Sequence, residues 1–263
     1  MQGIAARSKH PLRPPELGAD GTMHTNGLAS VPAIEVAPAR LVPGEVKVAV
    51  RLPFRLEHRA AIAAGNARAT EAGLSNLRFQ EGDASNLEGL SDNCFDLVVT
   101  IFGAMFAPKP FDVAKEMVRV TKPGGRIVMG NWIPGDPTLV AQILRISSSY
   151  SPPPPEGFVS PMTWGVEGRV AERFSAAGVE PEYVTCVRET YTFNFPGSPT
   201  EFVAAFRGYY APTMNAFDAA QKDGKAADLQ RELEELFTAQ NKSGQADATS
   251  IPATFLKVTA HRV

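Results

Sequence analysis

Apolar positions are unevenly spread along this chain, and their densest pattern runs from Asn76 to Trp132. Leu77 to Gln80 reads as a short strand that ends on Glu81-Gly82-Asp83-Ala84. Phe95 to Phe102 is a nearly unbroken apolar run, the pattern of a parallel strand buried on both faces. From Phe111 to Thr121, Val113, Ala114, Met117, Val118 and Val120 recur at helical spacing, with Lys115, Glu116 and Arg119 on the opposite side. Lys122-Pro123-Gly124-Gly125 predicts the helix stop, with a glycine taking the left-handed cap. Arg126 to Trp132 is the next buried strand. Strands alternating with helices in this way predict an α/β fold around an open, mostly parallel sheet.

Downstream the pattern continues. Leu139 to Ser149 and Val166 to Ala177 read as helices, the second stopped by Gly178. Tyr183 to Phe195 reads as a long strand, Pro199 to Tyr210 and Asp228 to Ala239 as helices, and Thr254 to Arg262 as a final strand. Between them, Ser151 to Pro161 carries the stiff run Pro152 to Pro155. Read from the residues alone, it is a surface connector with one anchoring Trp, Trp164. Tyr209 and Tyr210 are within reach of a ligand, although aromatic residues at helical spacing usually serve the core.

Upstream the character changes. Ala60 to Gly73 is an Ala-rich helix candidate. Residues 1–60 hold seven prolines and three of the four histidines, His10, His24 and His58, at spacings that match no metal site. They read as an irregular or disordered leader, with one alternating stretch, Glu45 to Leu52, of half-exposed strand character. The division expected is therefore a 1–60 leader and a 61–263 domain.

Composition narrows the function classes. A net charge of −2 offers no electrostatic case for nucleic acid or an anionic membrane. No apolar run approaches a membrane span, and no apolar core of a signal peptide stands at the N-terminus. Cys94 and Cys186 have no metal-ligand spacing, which points to a reducing cytoplasm. Asp96 stands at the start of its strand, the wrong end for catalysis, and is read as structural. Glu116 and Arg119 are spaced to pair on one helix turn, worth only a few tenths of a kcal/mol.

Asn66 to Leu74 (NARATEAGL), Phe79 to Ala84 (FQEGDA), Phe95 to Val99 (FDLVV), Phe102 to Phe106 (FGAMF) and Glu116 to Gly125 (EMVRVTKPGG) together resemble the class I S-adenosylmethionine-dependent methyltransferases. The likeness extends to the small-molecule branch related to quinone-biosynthesis methyltransferases. It implies a Rossmann-like sheet with an antiparallel edge pair, S-adenosylmethionine as cofactor and a small-molecule methyl acceptor. It makes Asp83 the acceptor for the adenine amino group, and Ala84 the donor of a backbone N–H to the base. The plainer reading of Asp83 is a turn former. Phe102 and Gly103 would lie beside the methionine part of the cofactor, with Gly103 allowing close backbone approach. Met105 and Phe106 would wall the substrate pocket, or else serve as core, and Tyr150, Phe158 and Trp164 would line it from the Pro-rich insertion, or else belong to a surface connector. No metal is implied, no acid or base stands out as catalytic, and oligomeric state is unspecified.

The same resemblance exposes a gap. The family carries, before the helix at Asn66, a strand followed by a G-x-G-x-G loop, and no G-x-G occurs in this chain. The sheet is therefore expected to lack its first strands, leaving the Phe95 to Phe102 strand with an unpaired edge. A non-catalytic, truncated or frame-shifted relative thus stands beside the active enzyme. A nicotinamide-dependent oxidoreductase stands behind both, without the G-x-G-x-x-G that it needs.

Overall fold

The computed structural model describes residues 57–263, with side chains from residue 62 onward. The leader reading, including the strand at Glu45 to Leu52, lies outside the described residues. Helix α1 (Glu57–Glu71) leads into an irregular, turn-rich segment. Strand β1 (Phe95–Ile101), helix α2 (Pro110–Val120) and strand β2 (Thr121–Trp132) follow. Next come α3 (Leu139–Ser149), α4 (Glu167–Ala176) and β3 (Val184–Phe195). Three helices, α5 (Pro199–Tyr209), α6 (Ala211–Lys222) and α7 (Ala226–Gln240), separate β3 from β4 (Thr249–His261).

The sheet has the order β1-β2-β4-β3. The β1–β2 pair is parallel, while β2–β4 and β4–β3 are antiparallel. The fold is α/β with the antiparallel edge pair expected, but among the described residues the sheet is mixed rather than mostly parallel. Only the β1–α2–β2 unit supplies a parallel pairing, because β4 lies between β2 and β3 and runs against both.

The core forms where helices pack against the sheet. The apolar stripe of α2 buries Val113, Ala114, Met117, Val118 and Val120, as its period predicts. Ile127 and Met129 of β2 and Leu256, Val258 and Ala260 of β4 join the same buried cluster. The alternate face of β1 is different. Leu97, Val99 and Ile101 are 44%, 53% and 50% exposed. The expectation of a strand buried on both faces therefore fails for β1, since an apolar run records what a strand can bury rather than what covers it.

Two further expectations are corrected. Leu77 to Gln80 forms no ladder strand. The side-chain amide of Asn66 takes the place of a strand partner, donating from Nδ2 to the Phe79 carbonyl (2.9 Å) and accepting the Phe79 N–H at Oδ1 (2.8 Å). Helix α2 does not end on a glycine cap. It stops at Thr121, which turns extended, and Thr121 Oγ1 donates back to the Met117 carbonyl (2.7 Å). Lys122 to Gly125 then forms an irregularity in the β1–β2 register, between Phe95 and Leu97 on the facing strand. The last carbonyls of α2, those of Val118 and Arg119, accept from Arg262 Nη1 instead, a cation at the negative end of the helix.

Candidate active site

The carboxyl ends of β1 and β2 carry the residues on which a site can be built. β1 stops at Phe102, whose N–H still donates to the Gly130 carbonyl (2.9 Å) while its φ is +57°. A bulky residue in the left-handed region is strained by about 1–3 kcal/mol. The bend lays the Phe102 ring flat on Trp132 at the end of β2, with centroids 3.7 Å apart and planes 2° from parallel. Phe255, opposite Trp132 in the register, closes the group edge-on, 5.5 Å from Phe102.

Gly103 follows. Its φ of −91° is open to any residue, and a Cβ there would meet nothing nearer than Thr100 Oγ1 at 3.5 Å. It is exposed, so neither backbone nor packing requires a glycine at this position. Ala104 N–H donates to Thr100 Oγ1 (2.9 Å), fixing the turn of 3₁₀ helix Ala104–Phe106 that comes next.

The Asp83 turn is held by a different device. Asp83 Oδ1 accepts from the Ser85 N–H (2.9 Å) and from Ser85 Oγ (2.7 Å), so the carboxylate closes a turn. Ala84 is half-buried against the core. Beyond it, Glu116 and Arg119 do much more than pair on their helix. Glu116 Oε2 accepts the Leu87 N–H (2.6 Å). Arg119 donates to the Leu87 and Leu90 carbonyls (2.9 and 2.8 Å) and to Asp92 (2.6 Å). The two side chains are joined through Arg119 Nε and Nη2 (2.7 and 2.8 Å). Spacing showed the pair, but not the loop that folds back onto it.

This clamp is sensitive to acid. The Arg119 hydrogen bond, followed by the Leu87 N–H, holds the Glu116 carboxyl below its ordinary value near 4.5, against the opposing cost of burial. A carboxylate with a lowered folded-state pKa stabilises the fold above its unfolded value, and that contribution is lost as pH falls through the folded value. Glu116→Gln is therefore expected to destabilise the protein at about pH 7, with the gap from wild type closing below about pH 4.5 in paired urea melts. An equal gap at both pH values would remove charge from the account.

Residues 57–129 match a family described as Methyltransferase domain. Within that span lie α1, the Asp83 turn, the Phe102–Gly103 bend and most of β2. Residues 57–129 thus carry the likeness to class I S-adenosylmethionine-dependent methyltransferases that the sequence motifs implied. An uncharacterized protein of Mycobacterium tuberculosis (strain ATCC 25618 / H37Rv) is 32% identical over 174 residues, which cover 65% of this chain and 60% of that protein. The chain thus spans about 60% of the length of the first curated relatives it matches. A demethylmenaquinone methyltransferase of Geobacillus sp. (strain WCH70) is 41% identical over 64 residues, 24% of this chain and 27% of that enzyme. Among solved structures, the YcgJ protein of Bacillus subtilis aligns with 78% of this chain and 80% of its own at 18% identity, with a TM-score of 0.44.

Not every residue singled out in the sequence joins the bend. Met105 and Trp164 are each 1% exposed and belong to the core. Trp164 stacks under the Arg173 guanidinium, 4.5 Å from its ring centre, and meets Phe174 edge-on. Phe106 is half-buried against the same core. Phe158 is exposed, and the Tyr150 hydroxyl donates to Glu232 (2.6 Å), tying α3 to α7. Asp96 pairs with Lys122 at the far end of β1, at 2.9 Å.

The residue that sequence reasoning passed over is Trp132. It was legible only as the end of a strand, although a large aromatic at a carboxyl strand end was a usable signal. Among the described residues no helix is long and apolar enough to cross a membrane.

Proposed function

We propose that this chain binds S-adenosylmethionine and transfers its methyl group to a small molecule. The carrying observation is the pair Phe102–Gly103: a strained aromatic residue beside a glycine that the fold itself does not need, at the carboxyl end of a strand within the methyltransferase segment. Strain and an unforced glycine are what close approach of a ligand to backbone would demand. Open α/β sheets bind ligands at that end of their strands.

The residues fit the cofactor as follows. Gly103 and Phe102 would lie along its methionine part, Asp83 would accept from the adenine amino group, and the Ala84 N–H would serve the base. The Glu116–Arg119 clamp fixes the segment just beyond Asp83, and so presents it. The cofactor supplies a methyl group already activated by its sulfonium. The protein's own share is alignment of the acceptor and exclusion of water. Residues 61–263 form the working domain of this reading, in a cytoplasmic setting.

A second reading, a relative that no longer catalyses, is favoured by the missing G-x-G. Calorimetry with S-adenosylhomocysteine on the full chain separates the two. Micromolar binding is the result expected of the enzyme, and no heat at millimolar ligand would establish the inactive relative.

A further inference from the structure

Arginine cannot escape burial by giving up its proton, and α4 buries one. Arg173 is 3% exposed. Its Nη2 donates to Thr163 Oγ1 (2.6 Å), but Nε and Nη1 have no acceptor. The guanidinium lies over the ring of Trp164, 4.5 Å from its centre, and Trp164 Nε1 also lacks an acceptor. Neither side chain can satisfy the other, because a guanidinium and an indole N–H only donate. Burial pulls the Arg173 pKa below its ordinary value, yet the group stays charged.

No carboxylate answers this charge among the described residues. Glu172, its neighbour on α4, is exposed and pairs with Arg169 (2.9 Å). Glu167, at the start of the same helix, is exposed as well. The face of Trp164 attracts the cation, but it returns only part of what a guanidinium loses in leaving water. A water molecule would complete a hydrogen bond and still leave the charge unanswered. The pair lies one hydrogen bond from the surface: Thr163 is half-buried, and its hydroxyl donates in turn to the carbonyl of exposed Ser160 (2.7 Å).

We infer that Arg173 and Trp164 form the binding site of a small monovalent anion, a chloride ion or a lone carboxylate. One guanidinium supplies one charge, and Arg169, the next cation along α4, is already paired. Sulfate or phosphate would bring in a second negative charge with nothing to meet it. Trp164 stands on the turn Pro161–Gly165 and Arg173 on α4, so the ion ties these two elements together. It thereby steadies Gly165, where the turn abuts the Trp132 carbonyl. Nothing in this site depends on the methyltransferase reading.

The test is chloride NMR on the full chain, wild type against Arg173→Met, because a protein-bound chloride broadens the resonance of the free ion. The excess linewidth of wild type should fall at least about fivefold in Arg173→Met. Formate should displace the chloride, and sulfate at equal ionic strength should not. Methionine keeps the bulk and removes an unpaired buried charge, so the variant should fold and, without added salt, melt no lower than wild type. Adding about 0.3 M chloride should raise the melting temperature of wild type by about 3 °C more than that of Arg173→Met. Trp164→Phe keeps the charge and loses only the indole N–H. It should bind chloride severalfold more weakly, which reads the site even where Arg173→Met fails to fold. No excess broadening in wild type, or the same broadening in Arg173→Met, overturns the site. Displacement by sulfate as readily as by formate overturns its monovalent character.

Discussion

Gly165→Ala is expected to destabilise the protein by about 3 kcal/mol, lowering its melting temperature by roughly 6–12 °C. A Cβ built at Gly165 falls 2.1 Å from the Trp132 carbonyl oxygen and 2.8 Å from Ile133 Cα. Both are backbone atoms, so no side chain can rotate away. Gly165 ends the 3₁₀ turn Pro161–Gly165, which docks edge-on against the end of β2 and carries the buried Trp164. To admit a methyl group, that turn must retreat by more than an ångström, and Trp164 must leave its place beside Phe174 and Arg173. The withdrawal also loosens Trp132, whose own carbonyl makes the contact. Gly168→Ala is the control. It lies on α4 with nothing within 4 Å of a new Cβ, and it is expected to be neutral or to stabilise by up to about 1 kcal/mol. Thermal melts of both variants decide the matter. A Gly165→Ala melt within a degree of wild type would mean that the turn does not pack against β2.

How far this fold was legible depends on what each segment needs from its neighbours. Helix α2 was readable because its stripe, Val113 to Val120, carries its own period, and a helix makes its hydrogen bonds within itself. The segment from Leu77 to Gln80 was not, because a strand exists only where another backbone accepts it, and here the Asn66 amide does so. Helix α6 was not read from the sequence; its Pro212 stands in the first helical turn, where a proline removes no hydrogen bond. Strand β4 begins at Thr249, ahead of Thr254, and pairs straight through Pro252 opposite Thr192. A proline inside a strand argues against one when only the sequence is in hand.

The site was legible in the same uneven way. Asp83, Phe102 and Gly103 each follow an apolar segment, and the family resemblance rather than the pattern singled them out as the proposed site. Trp132 and Tyr210 meet only in the folded chain, Trp132 at the end of β2 and Tyr210 between α5 and α6. No spacing along the chain announces that meeting. The Glu116–Arg119 pair shows the general case: its spacing was correct, but its bonds to Leu87 and Leu90 depend on where a loop lands. Sequence marks the positions that could act, and the tertiary contacts decide what they act on.

Gly103→Val is expected to leave stability where it is and to weaken S-adenosylhomocysteine binding at least about fiftyfold, a change of more than 2 kcal/mol. The two halves of this expectation come from different observations. Stability should hold because Gly103 has an ordinary φ of −91°, is exposed, and would meet only Thr100 Oγ1, at a normal contact distance. Valine there needs no backbone change. It gives up a little flexibility of the unfolded chain, so a shift in melting temperature of no more than about 2 °C follows. Binding should fail because a branched side chain would then stand on the exposed side of the bend, where the proposed cofactor runs along the backbone. Gly103→Ala should fall between, since one methyl group takes up less of that approach. Calorimetry with S-adenosylhomocysteine and a thermal melt, run on the same preparations, read the two halves separately. Unchanged binding in a stable Gly103→Val protein would show that the ligand does not lie against this bend. Lost binding in an unstable one would show that the glycine serves the fold, and would take away the observation on which the proposed function stands.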